Sequence, residues 1–419
     1  MNLSAWLQYL EQLHPVSIEL GLDRIRKVAE RLQLNLESSR IITIAGTNGK
    51  GSTAALLEAL LIKADHSVGL YRSPHLQHYN ERLQINGRMA SDESLCIAFE
   101  KIEVARAEIS LSYFEFGTLA AFLLFAEQDL EYLLLEVGLG GRLDAVNLLD
   151  ADLAIITNIA LDHTDWLGDT RELIGQEKAG IMRLGRPVLF GDRDMPESVR
   201  QHAESLNAPL YQFGQDYVAQ LQAGNWHWQG QDRAGQALAC TLVPGDCALL
   251  ELFPANAATA LQAFFLLDLS LAENEIASAW QELHMPGRFQ RMDRGRYTLV
   301  LDVAHNPHAM QLTASLLQAH FTGRKVRVLL GMLNDKDHRQ VIEILAPHIE
   351  EWYVCSLSNS RGTPAKILYN ALQASGPKTS AAYDSVREAF TAAEESLEPG
   401  DVLLVTGSFY TVAAVLELI

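Results

Sequence analysis

Residues 45–53 read Ala-Gly-Thr-Asn-Gly-Lys-Gly-Ser-Thr, and no other stretch of the chain offers such specific chemistry. Glycines let successive backbone N–H groups turn toward one point, where they can cradle phosphate oxygens. A helix starting directly afterwards would aim its positive N-terminus at the same place. In this reading Gly46, Thr47, Asn48, Gly49, Lys50, Gly51, Ser52 and Thr53 surround the phosphates of a nucleoside triphosphate. Lys50 would reach the β- and γ-phosphates, and Ser52 would offer a hydroxyl to Mg²⁺. The generic phosphate-loop pattern puts Ser or Thr directly after the lysine. Here Gly51 takes that position and the hydroxyl comes one place later. The competing reading is an ordinary glycine-rich turn from strand to helix.

Further along, Glu136 closes the apolar run Leu-Glu-Tyr-Leu-Leu-Leu-Glu-Val, just before Gly138, Gly140 and Gly141. A carboxylate where an apolar strand emerges beside a phosphate loop is a natural Mg²⁺ ligand, because hard cations prefer oxygen donors. The alternative is a glutamate facing solvent at a strand end. His163, in Leu161-Asp162-His163-Thr164-Asp165, could bind a second metal ion or could be a hydrogen-bonded surface histidine. Asp162 and Asp165 suit the cap of a helix starting nearby. Lys178, in Glu177-Lys178-Ala179-Gly180-Ile181, reads from its spacing as an ordinary exposed helix lysine.

These groups need a scaffold. Residues 5–36 carry helical periodicity, and Arg40–Ala45 is a short β-branched run that predicts a buried strand. A helix from Thr53 to about Ala64 should follow the loop, with further strands at Leu130–Val137, Ala154–Ile159 and Pro187–Phe190. Strands alternating with helices imply a mostly parallel sheet. Between Tyr211 and Leu252 the runs YQF, NWHW, ALACTLV and CALLEL predict a small antiparallel appendage, followed by a helix over Asn256–Leu267. Met285-Pro286-Gly287-Arg288 breaks the pattern and marks a domain boundary. Beyond it, the strands YTLVLDVA, KVRVLLGM, EWYVCS and DVLLVTGS alternate with helices near 308–320, 338–348, 364–374, 385–397 and 411–419. The expected fold is therefore α/β. A P-loop ATPase-type domain spans residues 1–285, with a mostly parallel sheet and a small antiparallel one. A smaller Rossmann-like α/β domain spans 286–419.

Composition narrows the partners. The 419 residues carry 48 % hydrophobic and 20 % charged side chains, as expected of a protein with a sizeable core. A formal net charge of −19 argues against nucleic acid or an anionic membrane as a partner. Cys96, Cys240, Cys247 and Cys355 form no CxxC pair and no zinc-type cluster, so they read as reduced thiols of a cytoplasmic protein. No signal peptide and no apolar run of about 18 residues is visible, so no membrane span is expected.

The motifs fall in a recognisable order: GTNGKGS, SPHL at 73–76, LEVGLGGRLDAVN at 135–147, LDHTDWLG at 161–168, EKAGI at 177–181, PGRFQ at 286–290, DVAHNPHA at 302–309 and GSFYTV at 407–412. Together they resemble bacterial folylpolyglutamate synthase/dihydrofolate synthase, a branch of the Mur ligase superfamily, from about residue 20 to the end of the chain. The resemblance implies an ATP-binding domain with a folate site followed by a glutamate-ligase domain. It also implies a monomer, two Mg²⁺ sites, and dihydropteroate, reduced folates and L-glutamate as substrates. Ser73 and Glu136 would complete the first Mg²⁺ site with Ser52, and His163 would hold the second. Lys178 matches a lysine that such enzymes carbamylate. Asn256, Arg288 and Asp302 match positions at the nucleotide, and His305 and Ser408 positions near the incoming glutamate. Phe114 and Asp144 fall where bifunctional members hold the pterin.

Local readings of the same residues stand beside these roles. Phe114 could be simple core, Asp144 a loop charge pairing Arg142, Arg288 a partner across the domain boundary, and Ser408 a helix N-cap. The implied chemistry is ATP-dependent activation of a carboxylate as an acyl phosphate and its capture by the glutamate amine. Domain closure about residues 285–288 would shield the intermediate from water. A peptidoglycan-precursor ligase of the same superfamily is the first rival; it would need an N-terminal nucleotide-sugar domain, and only 44 residues precede Ala45. A nucleotide-operated switch is the second. Asn334-Asp335-Lys336-Asp337 only superficially resembles a guanine-recognition motif, in the wrong order and the wrong domain.

Overall fold

A computed structural model describes residues 1–16, 19–243, 249–375 and 381–419. Cys247 lies outside the described residues. The chain divides after Leu283 into two compact units, Met1–Leu283 and His284–Ile419. None of its helices, among the described residues, is long and apolar enough to cross a membrane.

The first unit is built on eight strands: β1 Arg40–Ala45, β2 Val68–Tyr71, β3 Leu83–Ile85, β4 Arg88–Met89, β5 Tyr132–Glu136, β6 Leu153–Ile156, β7 Val188–Phe190 and β8 Leu210–Gln212. Their spatial order is β4-β3-β2-β5-β1-β6-β7-β8. All pairs from β2 to β8 are parallel, while β3 and β4 join antiparallel at one edge. The central strands are largely apolar because helices cover both faces of a parallel sheet. β1 and β5 accordingly bury nearly every residue, including Ile42, Ile44, Leu133 and Leu135.

The Lys50–Lys63 helix leaves the C-terminal end of β1. Its first turn includes the lysine and Ser52, so the helix begins earlier than its apolar stretch suggested. A separate antiparallel sheet, β9 Val218–Gln222, β10 Asn225–Gln231 and β11 Ala237–Leu242, forms the appendage. Two expected members of that appendage go elsewhere. The YQF run supplies β8, whose pairing with β7 outweighs its short length. Leu249–Leu252, from the CALLEL run, is helical and leads into the Pro254–Leu266 helix.

The second unit has six strands: β12 Gln290–Asp293, β13 Thr298–Leu301, β14 Val326–Leu330, β15 Glu351–Cys355, β16 Ala381–Tyr383 and β17 Val402–Thr406, ordered β12-β13-β17-β14-β15-β16. Only β12 runs antiparallel. In open α/β sheets, ligands bind at the carboxyl ends of the strands, so those two edges are where sites belong.

Candidate active site

The phosphate-type loop is shaped by contacts that admit only glycine. Gly46 has φ +144, and a Cβ there would overlap the Thr157 hydroxyl. Gly49 has φ +82, and a Cβ would overlap the Asn256 amide. These are backbone conformations that side chains disfavour, on top of the lack of space. Residues just after the neighbouring strand β6 pin the loop. Thr47 N donates to Asn158 O at 2.9 Å and Asn48 N to Asn158 Oδ1 at 3.0 Å. Thr157 Oγ1 and Asn158 Nδ2 donate to Asn48 O at 2.7 and 2.9 Å. From the Pro254–Leu266 helix, Asn256 Nδ2 donates to Gly49 O at 3.1 Å and to Thr53 Oγ1 at 2.9 Å. Asn256 thus braces the loop whatever else it contacts. Thr157 and Asn158 were not singled out in the sequence; their only signal was their place at the end of an apolar strand.

Two lysines converge on one carbonyl. Lys50 Nζ donates to Gly46 O at 3.1 Å and to Thr47 O at 3.3 Å, and Lys178 Nζ donates to Gly46 O at 3.0 Å. Lys178 is 5 % exposed, not the solvent-facing helix lysine its spacing suggested. Burial, then the charge of Lys50, lowers its pKa to about 7, with Asp162 and Asp144 opposing the shift. An amine with that pKa is partly neutral at physiological pH.

Glu136 ends β5, paired in register with Ile44 of β1. Its buried carboxylate accepts from Ser73 N at 3.1 Å, which joins it to the segment after β2. A Cβ on Gly51 would sit 3.4 Å from Glu136 Oε2, so the carboxylate lies against the helical turn that carries buried Ser52. Glu136 thus lies between the segment after β2 and the first turn of the Lys50–Lys63 helix, and a carboxylate in that place suits a hard divalent cation. Among the described residues, no three His, Cys, Asp or Glu side chains form a metal cage. The remaining ligands of such an ion would be phosphate oxygens and water. His163 sits at a left-handed position, φ 52, at the start of the Thr164–Leu167 helix, and its N–H donates to Asp162 Oδ1 at 2.9 Å.

Asp144 and Phe114 line the glycine-rich segment after β5. Asp144 is 2 % exposed and accepts from Gly138 N, Leu139 N and Val146 N at 3.0, 2.8 and 3.0 Å. Burial raises its pKa to about 6, against those three N–H groups. It does not pair with Arg142, whose guanidinium bonds Glu177 at 2.8 Å. Phe114 is half-buried rather than core, and its ring covers Gly138, where a Cβ would come within 2.7 Å of Cζ. Its ring centroid is 5.9 Å from that of Tyr71.

The other expected residues gather at the carboxyl ends of β13 and β17 in the second unit. Asp302 is half-buried; it accepts from Thr313 Oγ1 at 2.6 Å, and desolvation raises its pKa against the charge of Arg288. Arg288 lies over the Phe409 ring, 5.0 Å from its centroid. His305 Nδ1 bonds Val303 O at 2.9 Å. Ser408 caps the Phe409–Leu416 helix, its Oγ accepting from Thr411 N at 3.0 Å.

The model of the Mur ligase middle domain matches residues 44–243, and that of the Mur ligase glutamate ligase domain matches residues 287–409. The dihydrofolate synthase/folylpolyglutamate synthase of Escherichia coli K12 is 40 % identical over 417 residues, covering 100 % of this chain and 95 % of its own. The structure of E. coli FolC in complex with DHPP and ADP superposes with a TM-score of 0.91, at 40 % identity and covering 100 % of this chain and 97 % of that one. A bifunctional folylpolyglutamate synthase/dihydrofolate synthase with Mn, AMPPNP and L-glutamate bound gives a TM-score of 0.89 at 44 % identity, covering 100 % and 98 %. With similarity running the full length of both chains, and both ligase domains matched in order, the chain belongs to the dihydrofolate synthase/folylpolyglutamate synthase family of ATP-dependent Mur ligases.

Proposed function

We propose that this enzyme ligates L-glutamate to dihydropteroate, forming dihydrofolate, and to reduced folates, forming folylpolyglutamates, with release of ADP and phosphate. The observation that carries this reading is the convergence of Lys50 and Lys178 on Gly46 O, in a loop with no room for a Cβ at Gly46 or Gly49. The Lys50 ammonium beside a glycine-lined loop that opens a helix suits a polyphosphate and disfavours a neutral ligand.

The chemistry follows from charge. A carboxylate is a poor electrophile until an oxygen attacks the γ-phosphorus of ATP and ADP leaves. Lys50 neutralises the equatorial oxygens as this happens. The glutamate amine then attacks the acyl carbon, phosphate departs, and the amine's extra proton is released. When bound, a divalent cation supplies Lewis-acid neutralisation of the phosphates. Ser52, Ser73 and Glu136 would hold one ion and His163 a second. Asn256, Arg288 and Asp302 are assigned to the nucleotide, His305 and Ser408 to glutamate, and Phe114 and Asp144 to the pterin.

Lys178 is assigned a carbamate. A lysine with its pKa at about 7 is nucleophilic enough to take up CO₂, and the product replaces a costly buried cation with an anion facing Lys50. ADP release measured with glutamate and either dihydropteroate or tetrahydrofolate tests the whole reading, with Lys50→Ala as control. Turnover with neither acid would remove the folate assignment.

A further inference from the structure

The segment after Ser73 holds a cation that the ligation chemistry above does not use. Arg82 closes the short helical turn Tyr79–Arg82 and is half-buried. Its guanidinium carbon lies 5.4 Å from the centroids of both the Tyr79 and the Tyr113 rings. Its Nε donates to His75 Nδ1 at 2.8 Å. With Nδ1 accepting, the imidazole is held with that nitrogen unprotonated. Among the described residues, neither terminal nitrogen of Arg82 has a hydrogen-bond partner, and no carboxylate stands within ion-pair distance. A guanidinium fixed at Nε and on its faces, with its outward fork unmatched, is preorganised for an anion.

Its place in the fold says which anion. Arg82 O accepts from Arg72 N at 2.8 Å, and His75 follows Ser73 by two residues, so Arg82 is tied to both flanks of Ser73. Tyr113 precedes Phe114, and the Tyr79 and Tyr113 rings touch with centroids 5.9 Å apart. Buried Tyr71, which contacts the Phe114 ring, feels the charges of both Arg82 and Asp144. The fork therefore belongs to the neighbourhood of the acid substrate. Glu81 stiffens this segment by accepting from Leu76 N, Gln77 N and His78 N, each at 2.8 Å.

The two proposed acids differ in one relevant respect. Dihydropteroate carries a single carboxylate, the one to be activated. A folate carries two on its terminal glutamate, one to be activated and one left over. We infer that Arg82 receives the left-over carboxylate of the folate and so selects reduced folates over dihydropteroate. This rests on the reading of the preceding section and adds a specificity-determining residue to it.

The test is steady-state ADP release at saturating MgATP and glutamate, titrating tetrahydrofolate or dihydropteroate, for wild type, Arg82→Gln and Arg82→Lys. Losing a charge-assisted pair with a carboxylate should raise the tetrahydrofolate KM on the order of 10- to 100-fold. The ratio of kcat/KM for tetrahydrofolate over dihydropteroate should fall with it. Arg82→Lys should recover part of that ratio, because a point charge remains while the fork is lost. A ratio that stays at its wild-type value overturns the inference. Equal losses on both acids would make Arg82 a support for the tyrosine pair, and no loss on either would make it idle. A wild-type enzyme that turns over neither acid removes the underlying reading, and this one with it.

Discussion

The carboxyl edges of the two sheets treat polar side chains in opposite ways. At the first edge the backbone leaves no room: Gly46 and Gly49 press against Thr157 and Asn256, and two lysines share one carbonyl. Like charges held together in a buried place cost stability, and such strain is sustained where a ligand of opposite sign repays it. At the second edge each polar group has a modest local partner: Asp302 with Thr313, His305 with Val303 O, Ser408 with Thr411. The first edge is built to receive negative charge. The second is a self-satisfied surface that can exchange weak local bonds for a zwitterion.

If that contrast is right, variants at the first edge should act on the chemical step and those at the second on glutamate affinity. Lys50→Ala should give the largest effect, a loss of about a thousandfold in kcat for ADP release, because the charge it removes meets oxygens that gain charge in phosphoryl transfer. A loss confined to KM for ATP would put Lys50 in binding alone and blur the contrast. Glu136→Gln comes next. It keeps shape while removing the anion, so the Mg²⁺ needed for half-maximal rate should rise by roughly 10- to 100-fold, the range known for weakened metal sites. A wild-type metal titration would take Glu136 out of the site.

Lys178 offers a pH test. In the folded protein it titrates at about 7, whereas in the unfolded chain it keeps its proton to about 10.4. Between those values the unfolded state binds more protons, so stability rises with pH across that window. Below it both states are protonated, and the full penalty of the buried ammonium remains. Lys178→Met should therefore gain on wild type in urea midpoint near pH 6 and give back part of the gain near pH 9. Equal gains at both would show that folding does not shift this lysine. Carbamylation adds a second readout: bicarbonate should restore activity to decarbonated wild-type enzyme, more so above pH 7 than below it, and should do nothing for Lys178→Met.

The first edge was also the more legible one in the sequence. A strand, glycines and a lysine in one short run reveal a phosphate loop, because the constraint is local. Arg40–Ala45 is legible as a strand since β-branched residues buried on both faces leave little else. Lys178 was not legible: its helix is ordinary, and what buries it is the carbonyl of Gly46, 132 residues away. Val68–Tyr71 is too short and too plain to announce itself, and Gln290–Asp293 is an edge strand with alternating exposure. For Ser408 the sequence left two roles open, a cap and a glutamate contact, because a Gly-Ser turn before a helix supports either.

The smallest expected effect separates those two roles. Ser408 Oγ already accepts from Thr411 N and lies 2.7 Å from Thr411 Oγ1, which in turn donates to Gly331 O at 2.8 Å. Ser408→Ala removes the cap and should cost about 1 kcal/mol of stability, whatever the ligand does. Ser408→Asp keeps a capping oxygen, since Asp caps as well as Ser, but sets a negative charge where a dicarboxylate amino acid is assigned. If Ser408 only caps, Ser408→Asp should bind glutamate like wild type, whatever the buried carboxylate costs in stability. If it also meets glutamate, Ser408→Asp should raise the glutamate KM several-fold at unchanged KM for ATP, through like-charge repulsion of about 1 kcal/mol or more. That second outcome would extend the contrast between the edges, with one residue holding the helix in the empty protein and lending its hydroxyl to the substrate in the loaded one.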